Sequence, residues 1–157
     1  MEHALKITTQ GKTMTYEIIS KRRKNNPAPV ITPDDAYNLI KRYRNLQQEH
    51  FIVITLNGAH EPITVSIASI GLVNRLIIHP REVFISAIRD MAAAIIICHN
   101  HPSGSLIASP EDNAITDKVY NAGELLGIPV LDHIIFSKRG FVSMRREEYL
   151  KTQRGGN

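Results

Sequence analysis

Residues 93–98, Ala-Ala-Ile-Ile-Ile-Cys, form an uninterrupted apolar run that ends directly on His99-Asn100-His101-Pro102-Ser103-Gly104. Six apolar residues with three isoleucines together read as a strand buried on both faces, because a half-buried strand would alternate with polar residues. Such a strand must be covered on both faces, and the order of the predicted elements, an early hairpin and later strands separated by helices, suggests a mixed sheet flanked by helices. Pro102 and Gly104 turn the chain just beyond the run. Along an extended segment, side chains two residues apart share a face, so His99 and His101 converge while Asn100 points away.

Seven residues on, Ser109-Pro110-Glu111-Asp112 reads as a helix start, with serine as N-cap, proline at the first helical position and an acid at the third. Thr32-Pro33-Asp34-Asp35 carries the same pattern with no histidine nearby, so capping alone would account for Ser109 and Asp112. The histidine pair changes that balance. Two imidazoles on one face beside a turn and a capping carboxylate gather polar groups that need a common partner. Imidazole nitrogen and carboxylate oxygen are zinc ligands, and three protein ligands leave one coordination position for a water that becomes a nucleophile near neutral pH. The candidate ligands for a zinc ion (Zn2+) are therefore His99, His101 and Asp112.

The order His99-x-His101, seven residues, Ser109, two residues, Asp112 resembles the JAMM signature of the JAB/MPN metallopeptidase-like family. Its RadC-like branch is resembled further by His99 to Gly104, by His79-Pro80-Arg81-Glu82-Val83-Phe84 and by Leu131-Asp132-His133-Ile134-Ile135. Together these segments extend the likeness over about residues 30–150. The resemblance implies the MPN fold, similar to that of cytidine deaminases, with a mixed sheet flanked by helices. It also implies that His99, His101 and Asp112 bind zinc, that Ser109 stabilises the oxyanion, and that an upstream glutamate is general acid and base.

The signature does not contain that glutamate. Glu49, ahead of the apolar run Phe51-Ile52-Val53-Ile54-Thr55-Leu56, stands where the resemblance implies the acid at the entry to a central strand. Glu61 and Glu82 compete with it. Glu82 falls in a first helical turn, where an acid complements the helix dipole, and Glu61 falls at a hairpin edge. Cys98 or His133 would close the site as a fourth ligand if the zinc were structural. Opposed to this, Cys98 faces away from His99 in a strand and reads as a small buried apolar residue. His133 and Asp132 read equally as supports for a metal ligand or as structural hydrogen-bonding groups. His3, His50, His60 and His79 read as surface or packing residues. The chain lacks the His-x-Glu and Cys-x-x-Cys pair of zinc deaminases and the His-Glu-x-x-His of helix-borne metalloproteases.

The resemblance implies a zinc-dependent hydrolase of peptide or isopeptide bonds acting on a protein or peptide substrate. The other reading is a metal-bearing module that recognises protein or nucleic acid without cleavage, as in the DNA-repair label of the RadC branch. Of the net charge of +4, residues 1–30 hold all the excess, centred on Lys21-Arg22-Arg23-Lys24. That stretch could contact phosphate, although a solvated loop explains it as well. With 157 residues and 43% hydrophobic content, one domain buries a sizeable core. No run reaches membrane-span length and no signal-peptide pattern opens the chain, so a soluble cytoplasmic protein is expected. The expected organisation is an N-terminal strand and basic linker over 1–30 and a RadC-like JAB/MPN domain over 31–157. Expected elements are a strand near 14–20, a helix over 33–48, strands over 51–57 and 62–70 joined by an Asn57-Gly58 hairpin, a helix over 80–92, a helix over 110–126 closed by Gly127, and a strand over 129–136 turning at 138–140 into a short last strand.

Overall fold

The isoleucine run lies in a strand, Ala94–Asn100, all seven of whose residues are buried. The computed structural model describes residues 4–9, 12–18, 27–71 and 78–145, the first two stretches as backbone. The strands are β1 (Ala4–Thr9), β2 (Lys12–Ile18), β3 (His50–Leu56), β4 (Pro62–Ile70), β5 (Ala94–Asn100), β6 (Val130–Ser137) and β7 (Gly140–Ser143). The helices are α1 (Pro33–Ile40), α2 (Pro80–Arg89) and α3 (Pro110–Leu126). One sheet has the order β1-β2-β4-β3-β5-β6-β7. Only the β5–β6 pair is parallel, joined through α3, so the sheet is mixed as expected.

Alternation along the central strands divides two cores. Ile52, Ile54 and Leu56 of β3 and Ile96 and Cys98 of β5 pack with Ala36 and Ile40 of α1 on one face. Phe51 and Val53 with Ile95 and Ile97 pack against Val83, Phe84 and Ala87 of α2 and Val119 of α3 on the other. Both faces of β3 and β5 are thus covered, which is why their sequences read as continuous apolar runs. His99 has the parity of Ile95 and Ile97, so it emerges on the α2/α3 face, where Phe51 stacks parallel to its ring at a 6.2 Å centroid distance.

β4 and α3 occupy the expected spans, and Gly127 closes α3 in the left-handed region at φ 68°. Two helices end earlier than expected. α1 stops at Ile40 and is followed by a 3₁₀ turn over Lys41–Tyr43; farther on, the side-chain amide of Asn100 donates to the carbonyls of Leu46 and Gln48 and ties that segment to β5. α2 stops at Arg89, and Met91 follows at φ 50°. Asp90 then ties this end of α2 to the hairpin, its Oδ2 accepting from the Thr55 and Thr64 hydroxyls at 2.7 and 2.6 Å. The early strand is Lys12–Ile18, and β1 before it is a strand that the sequence reading did not anticipate; the pair extends the same sheet through β4. The Lys21–Lys24 run and His3 lie outside the described residues. No helix among the described residues is long and apolar enough to cross a membrane.

Candidate metal centre

Three elements deliver the site. β5 carries His99 in its last turn of pleat and His101 immediately after it, so the pair straddles the strand end rather than lying wholly beyond it. The His101 backbone N–H donates to the Phe136 carbonyl at 2.8 Å, which keeps the chain beside β6 as it leaves the sheet. Gly104 then turns the loop at φ 86°, and α3 begins at its Ser109 cap. The Asp112 backbone N–H donates to the Ser109 hydroxyl at 3.1 Å, while the Ser109 N–H donates to Asp112 Oδ2 at 2.7 Å. Capping and metal binding were alternatives in the sequence; in the structure the cap is what orients the carboxylate.

The side chains converge. His99 Nε2 lies 2.8 Å from His101 Nε2 and 3.0 Å from Asp112 Oδ1, and His101 Nε2 lies 3.4 Å from Asp112 Oδ2. Both histidines are buried and Asp112 is partly so. Four ligands at zinc distances of about 2.0–2.1 Å in a tetrahedron stand about 3.3 Å apart, close to these spacings. His101 Nδ1 lies 3.0 Å from the Ser105 carbonyl oxygen, which only accepts, so that ring nitrogen carries a hydrogen. In the neutral ring Nε2 then carries the lone pair, turned toward the other two groups. The residues fit a metal ion on spacing and on donor chemistry. Among the described residues, this is the cluster of three or more potential ligands close enough to share one ion.

Electrostatics agree with a cation position. Burial would raise the Asp112 carboxyl, but the His101 and His99 imidazoles beside it reverse this and hold it well below the usual carboxylate range. The Asp112 carboxylate also raises His101 against the effect of burial, with the Glu49 charge adding to it. Burial pushes His133 well below the ordinary imidazole value.

Glu49 is half-buried and immediately precedes β3, as expected. It is held from both sides. Asn100 Oδ1 accepts from the His50 N–H at 2.7 Å, its amide donates to the Gln48 carbonyl at 2.9 Å, and the Glu49 carbonyl accepts from Gly71 N–H at 2.8 Å. Asn100, between the two histidines but on the opposite face of β5, thus fixes the segment bearing Glu49 to the strand bearing His99. Spacing alone turns this side chain away from the two histidines, and its partners are 50 to 54 residues distant, beyond local pattern.

The competing acids serve elsewhere. Glu61 Oε2 accepts from the Asn57 side chain at 2.8 Å and braces the β3–β4 turn. Glu82 closes the capping box of α2, whose N-cap is His79, so His79 has a capping role rather than a merely superficial one. Cys98 lies in the α1-side core, where burial raises its thiol well above the ordinary value, so it does not close the site. His133 is not among the converging groups; its Nε2 lies 2.8 Å from His99 Nδ1, behind that ring. Asp132, raised by burial, accepts from the Ser143 hydroxyl at 2.6 Å and anchors β7 to β6. Beside the site, Leu106, Ile107 and Ala108 border a groove of about 930 Å³ between α3 and β7, and Ile107 is 81% exposed.

A family described as the RadC-like JAB domain matches residues 30–149. A UPF0758 protein of Methanospirillum hungatei is 52% identical over 103 residues, covering 66% of this chain and 46% of that protein. A UPF0758 protein of Alkaliphilus metalliredigens is 43% identical over 133 residues, covering 84% of this chain and 57% of its own length. One from Bacillus licheniformis is 44% identical over 119 residues, or 75% and 53%. The chain spans about half the length of the curated relatives it matches.

Proposed function

The chain belongs to the RadC-like JAB domain family, and from that premise we propose that it holds a zinc ion on His99, His101 and Asp112 and hydrolyses peptide or isopeptide bonds of a protein or peptide substrate. The observation that carries this reading is the convergence of two imidazole nitrogens and a depressed carboxylate within hydrogen-bonding distance of one another. When bound, zinc would supply Lewis acidity, lowering the pKa of a water and polarising the scissile carbonyl.

The chain's own residues supply the rest. Glu49 takes a proton from the attacking water as the water oxygen bonds to the carbonyl carbon. It then returns that proton to the amine as the C–N bond breaks. Ser109 uses its oxygen to accept from Asp112 N–H, and its own hydrogen has no protein partner among the described residues. That hydrogen is directed to the oxyanion of the tetrahedral intermediate. Asn100 keeps Glu49 in register with the ligands by its three bonds to residues 46–50.

Glu49→Gln tests the assignment. The variant should bind zinc like the parent and cleave a panel of linear peptides and lysine-linked isopeptides about 10²–10⁴-fold more slowly. Undiminished cleavage by the variant would remove Glu49 from the reaction. Absence of cleavage by the parent across the panel would count against hydrolysis.

A further inference from the structure

His133 is fully buried yet makes two side-chain hydrogen bonds, and the direction of each can be worked out. Thr116 lies four residues beyond Asp112 on α3. Its Oγ1 stands 2.5 Å from the Asp112 carbonyl oxygen, 2.6 Å from His133 Nδ1 and 3.6 Å from Met144 Sδ. A carbonyl oxygen has no hydrogen to give, so the single threonine hydrogen must fill the shortest of these contacts. His133 Nδ1 is then the donor to Thr116 Oγ1. In a neutral imidazole one nitrogen donates and the other accepts, so His133 Nε2 accepts. Its partner at 2.8 Å is His99 Nδ1, which must donate. His99 is left with a lone pair on Nε2, the atom that faces His101 and Asp112.

We propose that His133 and Thr116 are positioning residues that select the metal-binding tautomer of His99 and tie this ligand, through a run of three hydrogen bonds, to the backbone of Asp112. The run crosses β5, β6 and α3, so it joins the first and third candidate ligands through the interior, while the capping box fixes Asp112 to Ser109 at the start of α3. Without it, nothing selects which His99 nitrogen carries the hydrogen, and the form protonated on Nε2 points a hydrogen into the metal position. Outer partners of this kind typically change metal affinity about 10–100-fold. The inference rests on the zinc reading, but its hydrogen-bond directions can be read without metal.

Two measurements test it. Long-range ¹H–¹⁵N correlation spectra of the metal-free parent should place the hydrogen on Nδ1 of both His99 and His133. Competition with a chromophoric chelator should give zinc binding about 10–100-fold weaker in Thr116→Val and His133→Phe. His133→Gln, whose oxygen can accept from His99 and whose amide can donate to Thr116, should restore most of the affinity. Thr116→Val is nearly isosteric and decides the matter if His133→Phe fails to fold. A merely structural role would lower the melting temperature while leaving tautomer and affinity unchanged, and that result would overturn the proposal, as would a His133 protonated on Nε2 in the parent. A parent that binds no zinc overturns it together with the reading beneath it, and is told apart because the variants then have no affinity to lose.

Discussion

The caps of α1 and α3 are built from nearly the same four residues and do different things. Thr32-Pro33-Asp34-Asp35 and Ser109-Pro110-Glu111-Asp112 both form a reciprocal capping box with proline in the first turn. At α1 the Asp35 Oδ2 takes three local donors, the N–H groups of Ile31 and Thr32 and the Thr32 hydroxyl, at 2.8–3.0 Å. At α3 the Asp112 Oδ2 takes one local donor, and the carboxylate faces two imidazoles delivered by β5. A helix cap holds a carboxylate in one orientation, and what the sheet places opposite differs between the two. The first cap is a helix start alone, and the second also faces the imidazole pair of His99 and His101.

The largest difference should appear in metal affinity. Asp112→Asn should weaken zinc binding by at least the roughly 100-fold at the top of the range for outer partners, whereas Asp35→Asn should leave it unchanged in a calorimetric titration. Equal effects would end the distinction between the caps. Next comes turnover, if the chain cleaves peptides as proposed. Ser109→Ala should reduce it roughly 10²–10³-fold through loss of an oxyanion donor, while Thr32→Ala leaves it intact. In denaturant unfolding those same two variants should look alike, each losing roughly 1 kcal/mol of helix capping.

A pH series of the metal-free protein sharpens the comparison further. His101 is raised above its ordinary 6.5, so its pairing with Asp112 stabilises fully below 6.5 and is lost as pH rises through the higher folded-state value. Asp112 and Asp35 are both lowered from 3.8, so their contributions are present above that value and are lost as pH falls through the folded-state values. The melting temperature of the parent should therefore decline on the alkaline side, and Asp112→Asn should flatten that decline while Asp35→Asn preserves it. An unchanged alkaline decline in Asp112→Asn would dissociate His101 from Asp112.

What the sequence revealed follows the range of the interactions involved. α3 was legible at both ends because its start signal, Ser109-Pro110, and its stop signal, Gly127, are local. The convergence of His99, His101 and Asp112 was legible because a strand's two-residue period and a cap's three-residue spacing suffice to bring them together. Glu49 was singled out from Glu61 and Glu82 only with the family resemblance in hand. The tie that holds the segment before β3 was not legible, since Asn100 lies 52 residues from its partner Gln48. His133 was ambiguous for the same reason: its partner His99 is 34 residues away, and only the sheet pairing puts them in contact. β1 gave little signal because Leu5-Lys6-Ile7-Thr8-Thr9 is short and ends in polar residues.

X-ray absorption at the zinc edge would test the central claim most directly, because it reads the ligand atoms themselves. The account predicts a zinc ion surrounded only by nitrogen and oxygen at about 2.0–2.2 Å, with the multiple-scattering pattern of two imidazoles. A sulfur shell at about 2.3 Å would bring in Cys98, and a third imidazole would bring in His133; either would contradict an open site of His99, His101 and Asp112.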